Sequence, residues 1–268
     1  ATKRRRSSMA EQAFHGINPS RPKAESVTHV SGTRCHLCLG SYTGRSGRPT
    51  MTLKIYGVLR SRATRPIWMA KELNIPFEHV PVIQYYRLPD PDAADAPLHT
   101  GSPVFRAVNP NGLVPSIDDD GFVLNESLAI TLYLARKHGG PLAPRDVREE
   151  GLMTMWTLWA ATECEAPALR AMQNAATVKA RDPAVYDAAV ATLKPKLAVL
   201  DDALRDGGGY LVGGRFTVAD LNVAEIIRYA QAAPELFTDT PHLRNWITAC
   251  QLRPAFVAMM TERNAEPM

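Results

Sequence analysis

The run Asn109-Pro110-Asn111-Gly112-Leu113-Val114-Pro115-Ser116-Ile117, followed by Asn125-Glu126-Ser127, constrains this chain more than any other segment. Proline is the residue that lowers the cost of a cis peptide bond, so Val114-Pro115 is a candidate cis turn. Such a turn points the Val114 N–H and C=O outward, as a short edge for an extended peptide. A strand then runs into the turn Asp118-Asp119-Asp120-Gly121, returns over Phe122 to Leu124, and enters a helix at Glu126-Ser127. A helix N-terminus attracts a carboxylate. The combination suits a small, anionic, peptide-like ligand.

The flanking pattern supplies the rest of a domain. Leu53 to Tyr56 alternates as a short strand, and Arg65 to Leu73 reads as a helix with Ile67, Trp68 and Leu73 on its buried face. Phe77 to Val82 reads as a second strand. Residues 84–104 read as a long polar loop with Pro89, Pro91, Pro97 and Pro103. Ser127 to His138 is an amphipathic helix, and Gly139-Gly140-Pro141-Leu142-Ala143-Pro144 is a linker by composition. Beyond it the chain reads as all-helical, with helices expected at Arg148 to Thr162, Pro183 to Leu204, Val218 to Ala233 and Leu243 to Gln251. The order is βαβ, a hairpin, a helix, then an all-α module. Thr217-Val218-Ala219-Asp220 has the form of a capping box with Asp in place of Glu.

Charge separates the first 50 residues from the remainder. They carry nine Lys/Arg against two Asp/Glu, a net of +7, whereas residues 51–268 are at −3. The basic stretch has a disordered composition. It reads as a solvated extension or as sequence upstream of a natural start at Met51. Lys3-Arg4-Arg5-Arg6 also fits a localisation signal, a nucleic-acid arm or a transit peptide. Cys35-His36-Leu37-Cys38 is a lone CxxC without a second ligand pair, so no metal is expected. No apolar run approaches the roughly 20 residues needed to span a bilayer. Four cysteines in 268 residues make no disulfide framework, and a cytoplasmic setting is the default. Nothing in 51–268 suggests nucleic acid. Cys164 and Cys250 read as inert core thiols.

Three blocks resemble the glutathione S-transferase family, in particular its serine-type, theta- and beta-like members. The first is Ile55-Tyr56-Gly57 with Ser61-Arg62-Ala63-Thr64-Arg65, Trp68 and Glu72-Leu73-Asn74-Ile75-Pro76-Phe77-Glu78. The second runs from Asn109 through Val114-Pro115 to Asn125-Glu126-Ser127. The third is Gly214-Arg215-Phe216-Thr217-Val218-Ala219-Asp220, closed by Arg253-Pro254-Ala255-Phe256. The resemblance covers essentially all of 51–268. It implies a thioredoxin-like N-terminal domain over 51–138, a linker over 139–147 and a helical-bundle C-terminal domain over 148–268, usually as a homodimer.

The resemblance also implies a chemistry, with glutathione as co-substrate. The thiolate is the nucleophile, and a free thiol near pKa 8.5 is only a few per cent ionised at neutral pH. Ser61, in the loop after the first strand and before a helix N-terminus, is the expected hydroxyl donor to that thiolate. Thr64 is the next candidate, and Tyr56 reads as core or interface. Val114 would pair through its backbone with the cysteinyl moiety, with Pro115 setting the geometry. Glu126 would meet the γ-glutamyl ammonium and Ser127 its carboxylate. The glycine carboxylate is less well provided for, since Leu113 stands where the family usually has Lys or Gln. His99 is the candidate there.

The electrophile pocket is expected between the domains, lined by Met155, Trp156 and Trp159; Glu163 and Glu165 nearby read equally as a bias against acidic substrates or as solvent-exposed acids. No Cys occurs between Leu53 and Arg65, which disfavours the cysteine-dependent branches. The expected activity is glutathione transfer to a hydrophobic electrophile. The alternatives are peroxidase, dehalogenase or isomerase chemistry with the same thiolate, or a non-catalytic binding module.

Overall fold

The structure, a computed structural model, describes residues 53–267. The basic extension, the CxxC at Cys35 and the start at Met51 lie outside the described residues. Strand β1 (Leu53–Tyr56) pairs in parallel with β2 (Phe77–Val80) across helix α1 (Thr64–Glu72). Strands β3 (Ser116–Asp119) and β4 (Phe122–Asn125) form the expected hairpin, and β3 lies antiparallel to β1. The sheet order is β2-β1-β3-β4, closed by helix α3 (Ser127–His138). This is a thioredoxin-like domain. The segment expected to be a long loop is more ordered than its prolines suggest. A 3₁₀ turn (Tyr85–Arg87) and helix α2 (Pro103–Val108) sit within or beside it, Pro103 being tolerated at the first helical position.

The rest is helical: α4 (Val147–Trp159), a π turn (Ala160–Cys164), α5 (Glu165–Gln173), α6 (Pro183–Asp206), α7 (Val218–Ala230), α8 (Pro241–Gln251) and α9 (Pro254–Ala265). The helix expected to stop at Thr162 continues to Gln173 instead. Its π turn loosens the hydrogen-bond ladder just before Pro167, where a missing N–H would otherwise interrupt it. Helix α9 is an addition to the helices that the sequence leads one to expect. Among the described residues, no helix is long and apolar enough to cross a membrane.

Helix α1 is buried along most of its length, against the sheet on one side and α3, α7 and α9 on the others. Trp68 stacks edge-on to Phe256 (centroids 4.8 Å apart) and tilts against Phe216. Its Nε1–H donates to Glu72 Oε1, and both Glu72 oxygens accept from Arg253 at 2.7 Å. The Arg253 guanidinium lies 3.8 Å from the Phe216 ring centroid. Residues of the first and third blocks therefore meet at one seam, holding the sheet to the helices. Burial pushes the Cys164 thiol up to about 12 and raises Cys250 as well, as expected of inert core thiols.

Arg215 ties the linker down. Its Nε and Nη2 donate to the carbonyls of Pro141 and Ala143, while Nη1 and Nη2 grip both oxygens of Glu149 at 2.9 and 2.6 Å. The Arg215 hydrogen bonds and the Arg145 N–H lower the Glu149 carboxyl from 4.5 to about 2. A carboxyl depressed on folding stabilises the folded state above its unfolded pKa and loses that contribution as pH falls. The Tm deficit of Glu149→Gln should therefore be full at neutral pH and shrink between about 4.5 and about 2. A deficit that stays constant across that window would show that the charge is irrelevant.

Candidate functional site

The Val114-Pro115 bond is cis, as the sequence suggests. Among the described residues, the Val114 N–H and C=O make no hydrogen bond, so the peptide edge is available. Asn109 holds the loop from beneath. Its Nδ2 donates to the Leu113 carbonyl (2.8 Å) and Ser116 Oγ, and its Oδ1 accepts from the Asn111 N–H. Gly57, at the end of β1, lets this loop approach the loop before α1. It has φ +132, and a Cβ there would lie 3.0 Å from Ala63 Cβ and 3.1 Å from Val114 Cβ. Gly57→Ala should thus part the two loops and strain the backbone. We expect affinity for glutathione, the ligand that the sequence resemblance implies, to fall by about tenfold or more (~1.4 kcal/mol per decade), read by isothermal titration. An unchanged Kd would mean that the close approach is unimportant.

Two adjoining cavities, of about 490 and 580 Å³, share Arg62, Leu113 and Val114 as a common wall. The first holds Pro115, Glu126, Ser127 and Arg65; the second holds Ser61. Ser61, Val114, Pro115, Glu126 and Ser127 therefore line two neighbouring cavities that meet at Val114. Glu126 sits at φ +68, a region that non-glycine residues occupy only under constraint, and its side chain is exposed over the first cavity. Ser127 is buried, and its Oγ accepts from Arg65 Nη1 at 3.0 Å.

Ser61 is half-buried. Its Oγ accepts the Ala63 N–H at 3.1 Å and donates to the Val58 carbonyl at 2.6 Å. Thr64, the second candidate donor, is fully buried and directs its hydroxyl to Glu225 Oε2 at 2.7 Å, away from both cavities. Tyr56 lies against Phe105 and lines neither cavity. Burial raises its hydroxyl above the ordinary value.

Several expected site residues lie outside the two cavities. His99 is 8% exposed, accepts the Gly101 N–H on Nδ1, faces the Tyr85 ring and lines neither cavity. The side chains bordering the second cavity at that end are Gln84, Tyr86 and Thr100. Met155, Trp156 and Trp159 also line neither cavity. The two tryptophans pack edge to face, half-buried against the core, and Met155 is exposed. Leu158 and Ala161 line the first cavity instead, and Leu169, Met172 and Gln173 the second. From Leu152 on, the large apolar side chains of helix α4 are spread around most of its circumference, so its sequence does not mark one face. The π turn then shifts the helical phase of α5.

The acids behave differently too. Glu163 pairs with Lys196 elsewhere, while Glu165 accepts from Arg62 Nε (2.5 Å) and Arg65 Nη2 (2.9 Å). Burial raises the Glu165 carboxyl, but the two guanidiniums outweigh it and hold it below its ordinary value. Sequence reading missed Arg65. A cation directly before the apolar run Pro66-Ile67-Trp68-Met69 was the available signal, and the structure buries it to 1% exposure.

A thioredoxin-like domain that presents a cis-proline peptide edge and a serine-opened helix beside a helical domain defines a class of two-domain proteins with an open peptide edge at the cavity. Comparison with known proteins agrees. The family model of the glutathione S-transferase N-terminal domain matches residues 61–137, and that of the C-terminal domain matches 183–249. A glutathione S-transferase of Hyoscyamus muticus is 31% identical over 216 residues, covering 77% of this chain and 96% of that protein. Human glutathione S-transferase theta-1 is 29% identical over 207 residues, covering 73% and 81%. The theta-class enzyme of Xanthomonas axonopodis pv. citri, solved with glutathione bound, superposes with a TM-score of 0.64 at 27% identity, covering 78% and 96%. The chain belongs to the glutathione S-transferase family.

Proposed function

We propose that the chain transfers glutathione to hydrophobic electrophiles, with Ser61 as the hydroxyl that stabilises the attacking thiolate. The observation that carries this reading is that Ser61 and the unpaired Val114 peptide edge line one cavity, with Ser127 and Glu126 in the adjoining one. An extended glutathione would pair its cysteinyl amide with Val114, its γ-glutamyl carboxylate with Ser127 and its ammonium with Glu126. Arg65 orients the Ser127 hydroxyl from behind. The sulfur attacks the electrophilic carbon, a C–S bond forms as the leaving group departs with its electron pair, and the thiol proton goes to water.

The reading includes a cytoplasmic homodimer that disposes of reactive compounds. Buried free thiols at Cys164 and Cys250 fit a reducing setting. Light scattering tests the assembly. The activity is tested by following thioether formation from a chlorodinitrobenzene. A glutathione-dependent rate that saturates in both substrates is expected, and a rate no greater than that in buffer would refute the reading.

A further inference from the structure

Four guanidiniums line the second cavity, those of Arg60, Arg62, Arg228 and Arg263, and no carboxylate does. They come from the loop after β1 and from the distal ends of α7 and α9. The acids behind them are already engaged. Buried Glu225 accepts from Thr64 and Arg228; Glu165 is shared by Arg62 and Arg65; the Glu266 carboxylate accepts the N–H groups of Leu59 and Arg60 at 2.8 and 2.9 Å. Among the described residues, Arg263 pairs with no carboxylate. Burial and then the like charges of Arg228 and Arg60 hold its guanidinium below the ordinary value. Arg62 and Arg228 are neutralised by Glu165 and Glu225, which leaves the positive charge of Arg60 and Arg263 on a concave, part-apolar wall, where it focuses a potential that an anion relieves. The planar guanidinium fork matches a carboxylate or sulfonate. Leu169, Met172 and Tyr229 beside it offer apolar surface to the body of an organic molecule.

Resting on the reading of the site as a glutathione transferase, we propose that the α7–α9 side of this cavity is a subsite for an anionic group, and that favoured electrophiles carry a carboxylate or sulfonate. This reverses the bias that one reading of Glu163 and Glu165 gives. The glutathione sulfur at Ser61 and the anionic end of the second substrate would then sit on opposite walls of one cavity.

The test is equilibrium binding of dinitrobenzoate, an unreactive aromatic carboxylate, beside uncharged dinitrobenzene, by calorimetry on the full chain at saturating glutathione. One partly exposed charge-assisted contact leads us to expect about tenfold tighter binding of the carboxylate. Arg263→Gln should bring the two rings close to parity, Arg263→Lys should keep most of the preference, and added salt should weaken it. Equal affinities, or a preference that survives Arg263→Gln, would overturn the subsite. So would a preference abolished by glutathione, since the anion would then be occupying the glutathione site. Failure of glutathione itself to bind refutes the transferase reading separately. The same pair of rings titrated without it still reads the subsite, supporting it if the preference depends on Arg263 and overturning it otherwise.

Discussion

Asp220→Ala is expected to destabilise the fold by about 3–5 kcal/mol, lowering Tm by roughly 10 °C in a chain of this size. Read as a capping residue alone, Asp220 would be worth only about 1 kcal/mol. The structure gives its carboxylate far more to do. One oxygen accepts the Thr217 N–H at 2.9 Å and the Thr217 hydroxyl at 3.0 Å; the other accepts the Leu211 N–H at 3.1 Å and Trp246 Nε1–H at 2.9 Å. The side chain is fully buried. Alanine would strand four donors, two of them in the backbone, and would uncouple the loop before α7 and helix α8 from the start of α7. Relief of the buried charge offsets part of that loss. Thermal unfolding followed by circular dichroism decides it, and a Tm within two or three degrees of wild type would contradict the argument.

Ser61→Ala should lower kcat/KM for conjugation by roughly 10- to 50-fold. A hydrogen bond to a charged acceptor contributes about 1.5–3 kcal/mol, or roughly 10- to 150-fold. The free hydroxyl is not idle, however: it donates to the Val58 carbonyl at 2.6 Å. Turning to the thiolate forfeits that bond, which lowers the net gain towards the bottom of the range. The same contact implies a stability loss of only about 1 kcal/mol, because Ala63 N–H and the Val58 carbonyl each lose one partner. Activity should therefore fall far more than Tm. Equal activity with wild type, at saturating glutathione and across pH, would remove Ser61 from the chemistry.

The parts of this molecule that are legible in sequence are those that local chemistry dictates. The cis turn at Val114-Pro115 needs proline, the start of α3 needs a small polar residue, and the alternation of Leu53 to Tyr56 permits little but a strand. The features that escape depend on contacts between distant residues. Arg228 and Arg263 join Arg60 only once α7 and α9 cross the loop after β1, and nothing near them in sequence marks that meeting. Glu165 has the same difficulty: its role as counter-ion to Arg62 and Arg65 requires α5 to face α1. Met155, Trp156 and Trp159 stand out in sequence as large apolar residues, but their helix has no distinct face to give them a direction. The cavity takes the smaller neighbours Leu158 and Ala161. His99 has a suggestive position along the chain, but the bridge between Ile83 and His99 and the Tyr85 ring turn it into the interior.

The central claim is that the Ser61 hydroxyl makes bound glutathione a thiolate at neutral pH. Ultraviolet titration of the thiolate absorbance of bound glutathione, in wild type and in Ser61→Ala, measures it directly. The expected result is a bound thiol titrating at least about one unit below the free value of roughly 8.5, with most of that shift gone in the variant. Glutathione bound with an unshifted thiol, or a shift that survives Ser61→Ala intact, would contradict it.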